Sequence, residues 1–393
     1  MQYRKLGKSG LDVSVLGFGC MRFPVIEEGN EHLSIFEKPV KVEEAEKMLL
    51  HAVDNGINYF DTAYPYHGGK SEEILGKTIK PFRDKVLIAT KLPMMMVQSA
   101  SDIERFIDEQ LKRLETDYVD FYLLHGLNGQ SWSLAKKYNA LDFLERLLSD
   151  GRIRYAGFSF HDEVKMFKEI VDGFDWTLCQ IQYNYFDENR QAGKEGLQYA
   201  AKKGMGIVIM EPLRGGKLAE NMPPVVQEIW DSTKIKRTPA EWALRWVFNH
   251  PEVSVVLSGM SAMPQLVENL KIAKDARADS LTANELVLIS KVREKFEEML
   301  KVKCTGCGYC MPCPNGINIP MNFNSYNNSF LFDDQQRSKM AYNMFMPEEQ
   351  RAGSCEECGE CEEKCPQNIE IMDELKNVHE LLKMDEPSSM PKP

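Results

Sequence analysis

Two groups of cysteines lie near the C-terminal end of this sequence, and their spacing is suited to metal chemistry. Only two of the ten cysteines in this 393-residue chain, Cys20 and Cys179, precede these groups. The other eight form two runs with gaps of two or three residues, and a proline follows each run: Cys304, Cys307, Cys310 and Cys313, then Cys355, Cys358, Cys361 and Cys365. Repeated two-residue gaps let one tight loop present several thiolates to one small site. The two runs therefore predict two 4Fe-4S clusters.

The proline after each run also predicts how the ligands are shared. In two-cluster ferredoxins the cysteine before the proline binds the other cluster. The expected sets are Cys304, Cys307, Cys310 and Cys365 for one cluster, and Cys355, Cys358, Cys361 and Cys313 for the other. Structural zinc also uses Cys-x-x-Cys pairs, but three gaps in series that end twice in Cys-Pro favour iron-sulfur. Residues 315–354, which separate the runs, have helical patches and resemble the all-helical ferredoxin form.

A second set of reactive side chains lies in the first third of the chain. Asp61, Tyr66, Lys91 and His125 stand at or just after the ends of three short apolar runs. A tyrosine is a weak acid near neutral pH, but a nearby lysine ammonium stabilises its phenolate and eases proton release. Asp61 would hold that lysine, and His125 would orient a carbonyl oxygen. Each residue alone has an ordinary structural interpretation, whereas the four together predict a proton-donating site.

The elements that would position these residues alternate between strands and helices. Eight short runs rich in branched or aromatic residues are predicted as strands: 13–19, 57–62, 86–91, 118–125, 152–159, 178–183, 206–211 and 253–259. Their spacing is typical of β/α units, and their apolar character fits a sheet that is buried on both faces. A (β/α)8 TIM barrel is predicted, with an open doubly wound sheet as the alternative. No Gly-x-Gly-x-x-Gly follows the first strand, which favours the barrel, and residues 3–14 are expected to form a hairpin that closes one end.

The segments "DTAYPY", "ATK" and "LLHG", which contain the Asp, Tyr, Lys and His, resemble motifs of the aldo-keto reductase family. The resemblance covers about residues 1–290. It implies a (β/α)8 barrel, a bound NADPH or NADH, and reversible reduction of a small carbonyl compound to an alcohol. It also implies cofactor contacts at Ser159, Gln180, Asn184, Met210, Leu213, Arg214, Gly215, Ser261, Gln265 and Asn269.

Three positions depart from the family pattern. Met210 stands where an aromatic residue often stacks on the nicotinamide. Phe160 stands where the family usually has Asn, and His161 is a candidate replacement for its amide contact. Ser261 stands where an arginine usually binds the 2′-phosphate of NADPH. A neutral hydroxyl cannot replace a guanidinium opposite a phosphate dianion, so NADH remains an alternative cofactor.

The composition limits the classes of partner. The net charge of -11 and the lack of a basic stripe disfavour nucleic acid. No apolar run approaches the length needed to cross a bilayer, and the first ten residues do not resemble a secretory signal, so a cytoplasmic protein without a membrane partner is expected. The predicted domains are a barrel at 1–290, a mostly α-helical ferredoxin-like domain at 291–382 and a loose tail at 383–393.

These features favour an NAD(P)H-dependent carbonyl reductase with two 4Fe-4S clusters, which are structural or exchange electrons with a partner protein. Hydride transfer moves two electrons, whereas a cluster usually moves one, so the two chemistries do not couple directly. The alternative is an electron-transfer protein that links a nicotinamide or flavin in the barrel to an external ferredoxin-like partner. A cofactor-sensing barrel with little turnover is a third hypothesis, which the complete set of four reactive residues disfavours.

Overall fold

The computed structural model describes residues 1–28, 38–304, 306, 308, 310–365 and 367–384 of the chain. An antiparallel hairpin comes first, in which β1 (Tyr3–Lys5) pairs with β2 (Asp12–Ser14). The expected hairpin is therefore present. Leu6, in its turn, is fully buried in a cluster formed with barrel side chains. The backbone N–H of Lys8 donates to the carbonyl of Gly204 at 2.7 Å, which fixes the hairpin beneath the barrel.

Eight parallel strands in the described part of the chain close into a barrel, and their order follows the sequence around the ring. They are β3 (Leu16–Gly19), β4 (Tyr59–Asp61), β5 (Leu87–Leu92), β6 (Val119–Leu127), β7 (Ile153–Phe160), β8 (Leu178–Gln182), β9 (Gly206–Met210) and β10 (Val255–Ser258). The predicted barrel is confirmed. The alternative of an open sheet is wrong, because β10 pairs with both β9 and β3.

The strand sequences explain why the sheet closes. β9 (GIVIM) and β10 (VVLS) are short runs rich in branched residues, and they are buried along almost their whole length. Large side chains such as Tyr59 and Phe121 fill the barrel interior together with Val208 and Val255. A barrel of this size is a packed core rather than a pore. The residues at the strand ends are therefore the candidates for function in the barrel.

Helices connect successive strands, and local sequence fixes several of their starting points. One helix begins at Ala100 after a capping box formed by Ser99 and Asp102, and another begins at Pro239, where the Thr238 hydroxyl accepts the Glu241 N–H at 3.0 Å. Up to residue 304 the helices are α1 (Val42–Asp54), α2 (Lys70–Ile79), α3 (Ala100–Arg113), α4 (Gly129–Lys137), α5 (Ala140–Asp150), α6 (Val164–Asp172), α7 (Gly193–Lys202), α8 (Pro224–Asp231), α9 (Pro239–Phe248), α10 (Met263–Lys274) and α11 (Ala283–Glu298).

The region after the barrel is helical, with α12 (Ile319–Leu331), α13 (Gln335–Met344), α14 (Glu360–Glu363) and α15 (Ile371–Leu382). Phe323, Tyr342, Leu375 and Val378 form much of its buried core. Cys361 belongs to this core, and Cys304, Cys310, Cys313, Cys355 and Cys365 pack against it. The predicted mostly α-helical, ferredoxin-type region is therefore present.

The described chain forms two compact units. The first unit contains residues 1–219 and 237–286. The second unit contains residues 220–236 together with the chain from residue 287 onward. No sequence pattern indicates that residues 220–236, which include α8, belong with the C-terminal unit. The predicted tail at 383–393 falls outside the described residues beyond position 384. No helix in the described ranges is both long enough and apolar enough to cross a membrane.

Candidate active site and cysteine sites

A buried ion pair lies at the ends of neighbouring strands β4 and β5. The Nζ atom of Lys91 donates to Asp61 Oδ1 at 2.6 Å and to the carbonyl of Thr62 at 2.8 Å. Lys91 is 1 % exposed and Asp61 is 3 % exposed. Burial lowers the pKa of Lys91, but the Asp61 carboxylate and Tyr66 raise it more, so its pKa lies above the usual value. Lys91 is therefore an ammonium in the working pH range.

Tyr66 stands in a sharp turn between β4 and α2. His67, Gly68 and Gly69 have φ values of 50°, 62° and 90°. At the φ of Gly69 a residue with a side chain would be strained, and its Cβ atom would lie 2.8 Å from an Arg113 guanidinium nitrogen, so glycine is favoured there. The turn directs Tyr66 toward the ion pair, and Lys91 Nζ lies 5.1 Å from the centroid of its ring.

His125 occupies a bulge near the end of β6. The register with β7 pairs Leu124 with Phe158 and Leu127 with Phe160, so β6 holds one extra residue at this point. The N–H of Gly126 instead donates to the Ser159 hydroxyl at 2.8 Å. Bulges re-aim side chains near active sites, and here the His125 ring stands edge-on to Tyr66 with 5.9 Å between centroids.

The electrostatic setting gives Tyr66 and His125 different protonation states. Burial raises the pKa of Tyr66, and the Lys91 ammonium opposes part of that rise. The phenol is therefore protonated in the site without ligands. Burial, assisted by the positive charge of Lys91, lowers the pKa of His125 to about 3. His125 is a neutral imidazole that can donate one hydrogen bond.

A buried polar network supports this site from behind. The Gln110 side-chain NH2 group lies within hydrogen-bond distance of three acceptors: Glu72 at 2.7 Å, the Thr90 hydroxyl at 2.9 Å and the Lys91 carbonyl at 3.1 Å. Arg113 forms an ion pair with Glu72 at 3.2 Å and also donates to the carbonyl of Tyr64, close to the Tyr66 turn. Burial raises the pKa of Glu72, and the bonds from Thr90 and Gln110 oppose this. This network could not be predicted from the sequence, because α2 and α3 meet behind the sheet only in the folded chain.

Two of the expected cofactor contacts have polar atoms suited to a nicotinamide. Ser159 and Gln180 are 2 % and 3 % exposed at the ends of adjacent strands β7 and β8. The Gln180 Oε1 atom is buried and has no hydrogen-bond partner within the described residues. A carboxamide N–H is the kind of donor that would satisfy this oxygen. The polar atoms at these strand ends would therefore suit the nicotinamide end of the expected cofactor.

Asn184 and Arg214 are placed differently. The Asn184 Oδ1 atom accepts the N–H groups of Phe186 and Asp187, and its Nδ2 atom donates to Asp187 and to the Glu211 carbonyl. Its polar atoms are thus engaged within the protein. Arg214 is 8 % exposed, and its Nε atom lies 3.0 Å from Asp187 Oδ2. Both residues shape the loops after β8 and β9 through Asp187.

The other expected cofactor residues lie around the same barrel end. Met210 ends β9 and is partly exposed, and Leu213 and Gly215 lie in the loop that follows. Gln265 Oε1 accepts the N–H of Ser261 at 2.9 Å at the start of α10. Asn269 donates to the Ser258 hydroxyl at 3.0 Å and is buried. Asn269 therefore ties α10 to β10, whereas Ser261 is exposed.

One cavity in the C-terminal unit brings together cysteines from both runs. Cys304 and Cys310 from the first run and Cys365 from the second line one small cavity. Its other walls are largely apolar and include Ile319 and Phe323. These three cysteines belong to one of the expected ligand sets, and Cys307, the fourth member, lies outside the described residues. An apolar cavity lined by thiols fits a cluster ligated by cysteine.

The remaining cysteines are also close to one another. Burial raises the pKa of the Cys355 and Cys361 thiols, and the charge of Cys313 adds to both shifts. Cys358 contributes to the shift at Cys355 and is itself exposed. Within the described residues no three His, Cys, Asp or Glu side chains converge as a single metal ion would require. The cluster assignment therefore rests on the cavity and on the comparison below.

Both parts of the chain match known protein families. Residues 15–286 match the aldo/keto reductase family, and residues 303–370 match the 4Fe-4S dicluster domain. An uncharacterized oxidoreductase of Bacillus subtilis, YqkF, is 29% identical over 73% of this chain and 94% of its own length. L-galactose dehydrogenase of Arabidopsis thaliana is 27% identical over 76% of this chain and 96% of its own.

A solved structure agrees with these matches. The holo form of an aldo-keto reductase from Bacillus halodurans superimposes with a TM-score of 0.61 at 27% identity, and it covers 74% of this chain and 96% of that one. The chain therefore belongs to the aldo-keto reductase family. It is an oxidoreductase of this type with a C-terminal 4Fe-4S domain.

Proposed function

We propose that the barrel catalyses NAD(P)H-dependent reduction of a small carbonyl compound to an alcohol, and the reverse reaction. The observation that carries the proposal is the position of the Lys91 ammonium. Its Nζ atom donates to Asp61 Oδ1 at 2.6 Å and lies 5.1 Å from the centre of the Tyr66 ring. This arrangement suits a tyrosine that gives up a proton and regains it. The unpaired buried oxygen of Gln180 and the nearby Ser159 would hold the nicotinamide.

The residues have distinct roles in this proposal. The reduced nicotinamide, when bound, supplies the hydride. The Tyr66 hydroxyl donates its proton to the carbonyl oxygen as negative charge develops there, and the Lys91 ammonium stabilises the phenolate that remains. Asp61 keeps Lys91 protonated. Neutral His125 donates a hydrogen bond to the same oxygen and so orients the substrate. In the reverse reaction the Tyr66 phenolate takes up the proton of the alcohol.

In the C-terminal unit we propose two 4Fe-4S clusters on the eight cysteines. They are structural or exchange electrons with a partner protein. The cavity lined by Cys304, Cys310 and Cys365 supports a cluster that draws ligands from both runs. Cys313 and Cys355 pack against the helical core to which Cys361 belongs, and this grouping supports a second cluster.

Replacement of Tyr66 by Phe tests the proposed reaction. We expect kcat for reduction of an aldehyde panel to fall by about 100-fold or more, since general acid catalysis contributes roughly 10²–10⁴-fold. The dissociation constant for NADH or NADPH, measured by fluorescence, should change little because the hydroxyl acts on the substrate. Unchanged turnover in Tyr66→Phe would overturn the assignment.

The same variant separates carbonyl reduction from electron transfer. The cluster-loaded protein is titrated anaerobically with NADH and then NADPH, without a carbonyl compound, while optical and EPR spectra are recorded. Clusters that stay oxidised in wild type and in Tyr66→Phe support the reductase. Cluster reduction by the nicotinamide in both proteins would favour the electron-transfer alternative.

A further inference from the structure

His67 directly follows Tyr66 in the chain, and its imidazole is packed inside the protein. His67 is 5 % exposed. Its ring stacks on Phe23, with 5.9 Å between the centroids and 24° between the planes, and Phe23 is itself fully buried. The φ of His67 is 50°, a left-handed conformation that is uncommon for residues other than glycine. The packing of the His67 ring therefore helps to hold the turn that carries Tyr66.

Neither nitrogen of this ring is hydrogen-bonded. Nδ1 and Nε2 of His67 are both buried and have no hydrogen-bond partner within the described residues. Buried polar groups in folded proteins are nearly always paired, and an unpaired one calls for an explanation. The reaction proposed above uses neither nitrogen. The imidazole is thus held by packing alone, next to the residue that donates the proton.

The segment that follows β3 forms the other side of this contact. Phe23 leads into a short antiparallel pairing in which residues 24–26 lie beside residues 39–41. The His67 ring therefore joins the Tyr66 turn to the base of this segment. Loss of the stack between His67 and Phe23 would leave both free to move apart.

The surroundings of the ring suit its neutral form. Burial lowers the pKa of His67, and the nearby backbone carbonyls of Met21 and Lys38 oppose part of this effect. Tyr66 and the Cys20 thiol are uncharged neighbours, because burial raises the pKa of both. A proton on the buried ring would be held by no hydrogen bond of the described residues and would favour release of the ring to solvent.

The charged side chains on the elements around His67 do not balance such a proton. No charged group in the described ranges contributes to the pKa shift of His67. These side chains have other contacts: Arg22 beside Gly215, Lys38 with Glu27, Lys70 with Glu73, and Glu72 with Arg113. The described structure therefore holds the ring in its neutral form.

We propose that neutral His67 is a positioning residue that holds the Tyr66 turn in place, and that protonation of its ring releases this turn. The turn is held fully above the ordinary histidine pKa of about 6.5. Because burial lowers the pKa of His67, the hold weakens as pH falls below that value. The effect on turnover rests on the proposed function, in which Tyr66 is the proton donor. Tyr66 stays protonated in this range and the pKa of His125 is about 3, so an acid loss of reduction requires another group.

Hydrogen exchange tests the release without relying on the reaction. Peptides that cover residues 18–28 and 62–72 of the full-length, cluster-loaded protein are compared at about pH 8 and about pH 5, after correction for the intrinsic exchange rates. In wild type we expect exchange in both peptides to be faster at the lower pH by up to about 30-fold, the ratio that a pKa of about 6.5 in the released turn allows.

Two variants remove the proton site in different ways. His67→Phe keeps an aromatic ring for the stack on Phe23 and cannot be charged, so its corrected exchange should be the same at both pH values. His67→Asn also cannot be charged and tolerates the left-handed backbone, but it loses the stack. Its exchange should be fast at both pH values. His51→Gln, at a partly exposed position on α1, is the control and should behave as wild type.

Carbonyl reduction is measured with the same four proteins over the same pH range. The kcat of wild type and of His51→Gln should fall toward pH 5 by up to the same factor as the exchange rises. His67→Phe should keep its rate. His67→Asn should be slower than wild type near pH 8 and should show no further acid loss.

Each outcome supports or overturns the role of His67. Corrected exchange in wild type that is equal at both pH values overturns it. An acid loss shared by wild type and both His67 variants belongs to another group and also overturns it. If wild type reduces no carbonyl compound, the proposed function fails and the exchange measurement alone decides the role of His67. Thermal unfolding and iron content identify a variant that has lost its fold, and the other His67 variant then decides.

Discussion

The protonation state of Tyr66 results from two opposing effects. Burial raises its pKa, and the Lys91 ammonium lowers it without reversing the net rise. Lys91 can act in this way only because Asp61 offsets the cost of burying its charge. The residue types in the sequence predicted this group of side chains, and in the structure Asp61 and Lys91 form an ion pair. The net rise in the pKa of Tyr66 could not be predicted from the sequence, because it depends on how deeply the ring is buried.

Replacement of Lys91 by Met should shift the pH profile of the proposed alcohol oxidation to higher pH. In the proposed reaction, alcohol oxidation requires the Tyr66 phenolate, so its rate should rise as pH approaches the pKa of Tyr66. In Lys91→Met the opposing positive charge is gone, the pKa rises further, and the ascending limb of kcat/KM against pH shifts to higher pH. The measurement is a pH profile of alcohol oxidation at saturating cofactor.

Two further variants control this experiment. The double variant Asp61→Asn with Lys91→Met avoids a buried carboxylate without a partner and should show the same direction of shift. Lys77→Met removes an exposed lysine on α2 and should leave the profile in place. A limb that stays fixed or moves to lower pH in both Lys91 variants would show that Lys91 does not stabilise the phenolate.

At the scale of elements, all eight barrel strands were predictable because parallel strands buried on both faces read as apolar runs. The bulge at His125 was not, since an extra residue in β6 leaves no mark in the sequence. The roles of Asn184 and Arg214 also depended on the fold. Only the folded loops bring both residues against Asp187, and a sequence motif does not distinguish a contact with ligand from a contact with protein.

The network between α2, α3 and β5 should contribute strongly to barrel stability. Gln110→Leu removes donors to Glu72, Thr90 and the Lys91 carbonyl, and it leaves Tyr122 without the acceptor that it contacts at 2.8 Å. We expect the free energy of unfolding to fall by about 3 kcal/mol, because buried polar groups lose their partners.

Urea denaturation followed by tryptophan fluorescence measures this change. Four of the five tryptophans lie in the barrel unit, namely Trp132, Trp176, Trp242 and Trp246. Gln98→Leu, at an exposed position before α3, is the matched control and should shift stability by no more than about 0.5 kcal/mol. A similar small shift for Gln110→Leu would mean that the network is dispensable.

At the scale of the whole molecule, two chemistries are carried by two compact units. The cysteine spacing predicted the C-terminal unit because ligand geometry fixes which gaps are useful. The cysteine spacing could not predict that residues 220–236 belong to this unit. Their sequence is that of an ordinary loop and helix, as found in a β/α barrel. The crossed assignment of ligands remains a prediction. It specifies which pairs of cysteine substitutions should remove one cluster and which should remove both.

Pairs of cysteine variants test the crossed ligation. Wild type should bind about eight irons and lose about four with each lost cluster. Under crossed ligation Cys313 and Cys355 serve the same cluster, so Cys313→Ala with Cys355→Ala should retain about four irons. Cys355 and Cys365 serve different clusters, so Cys355→Ala with Cys365→Ala should lose nearly all iron. Iron analysis and EPR after anaerobic reconstitution provide the measurement, and the three single variants are the controls. Uncrossed ligation predicts the reverse for both pairs, because Cys355 and Cys365 would then share a cluster.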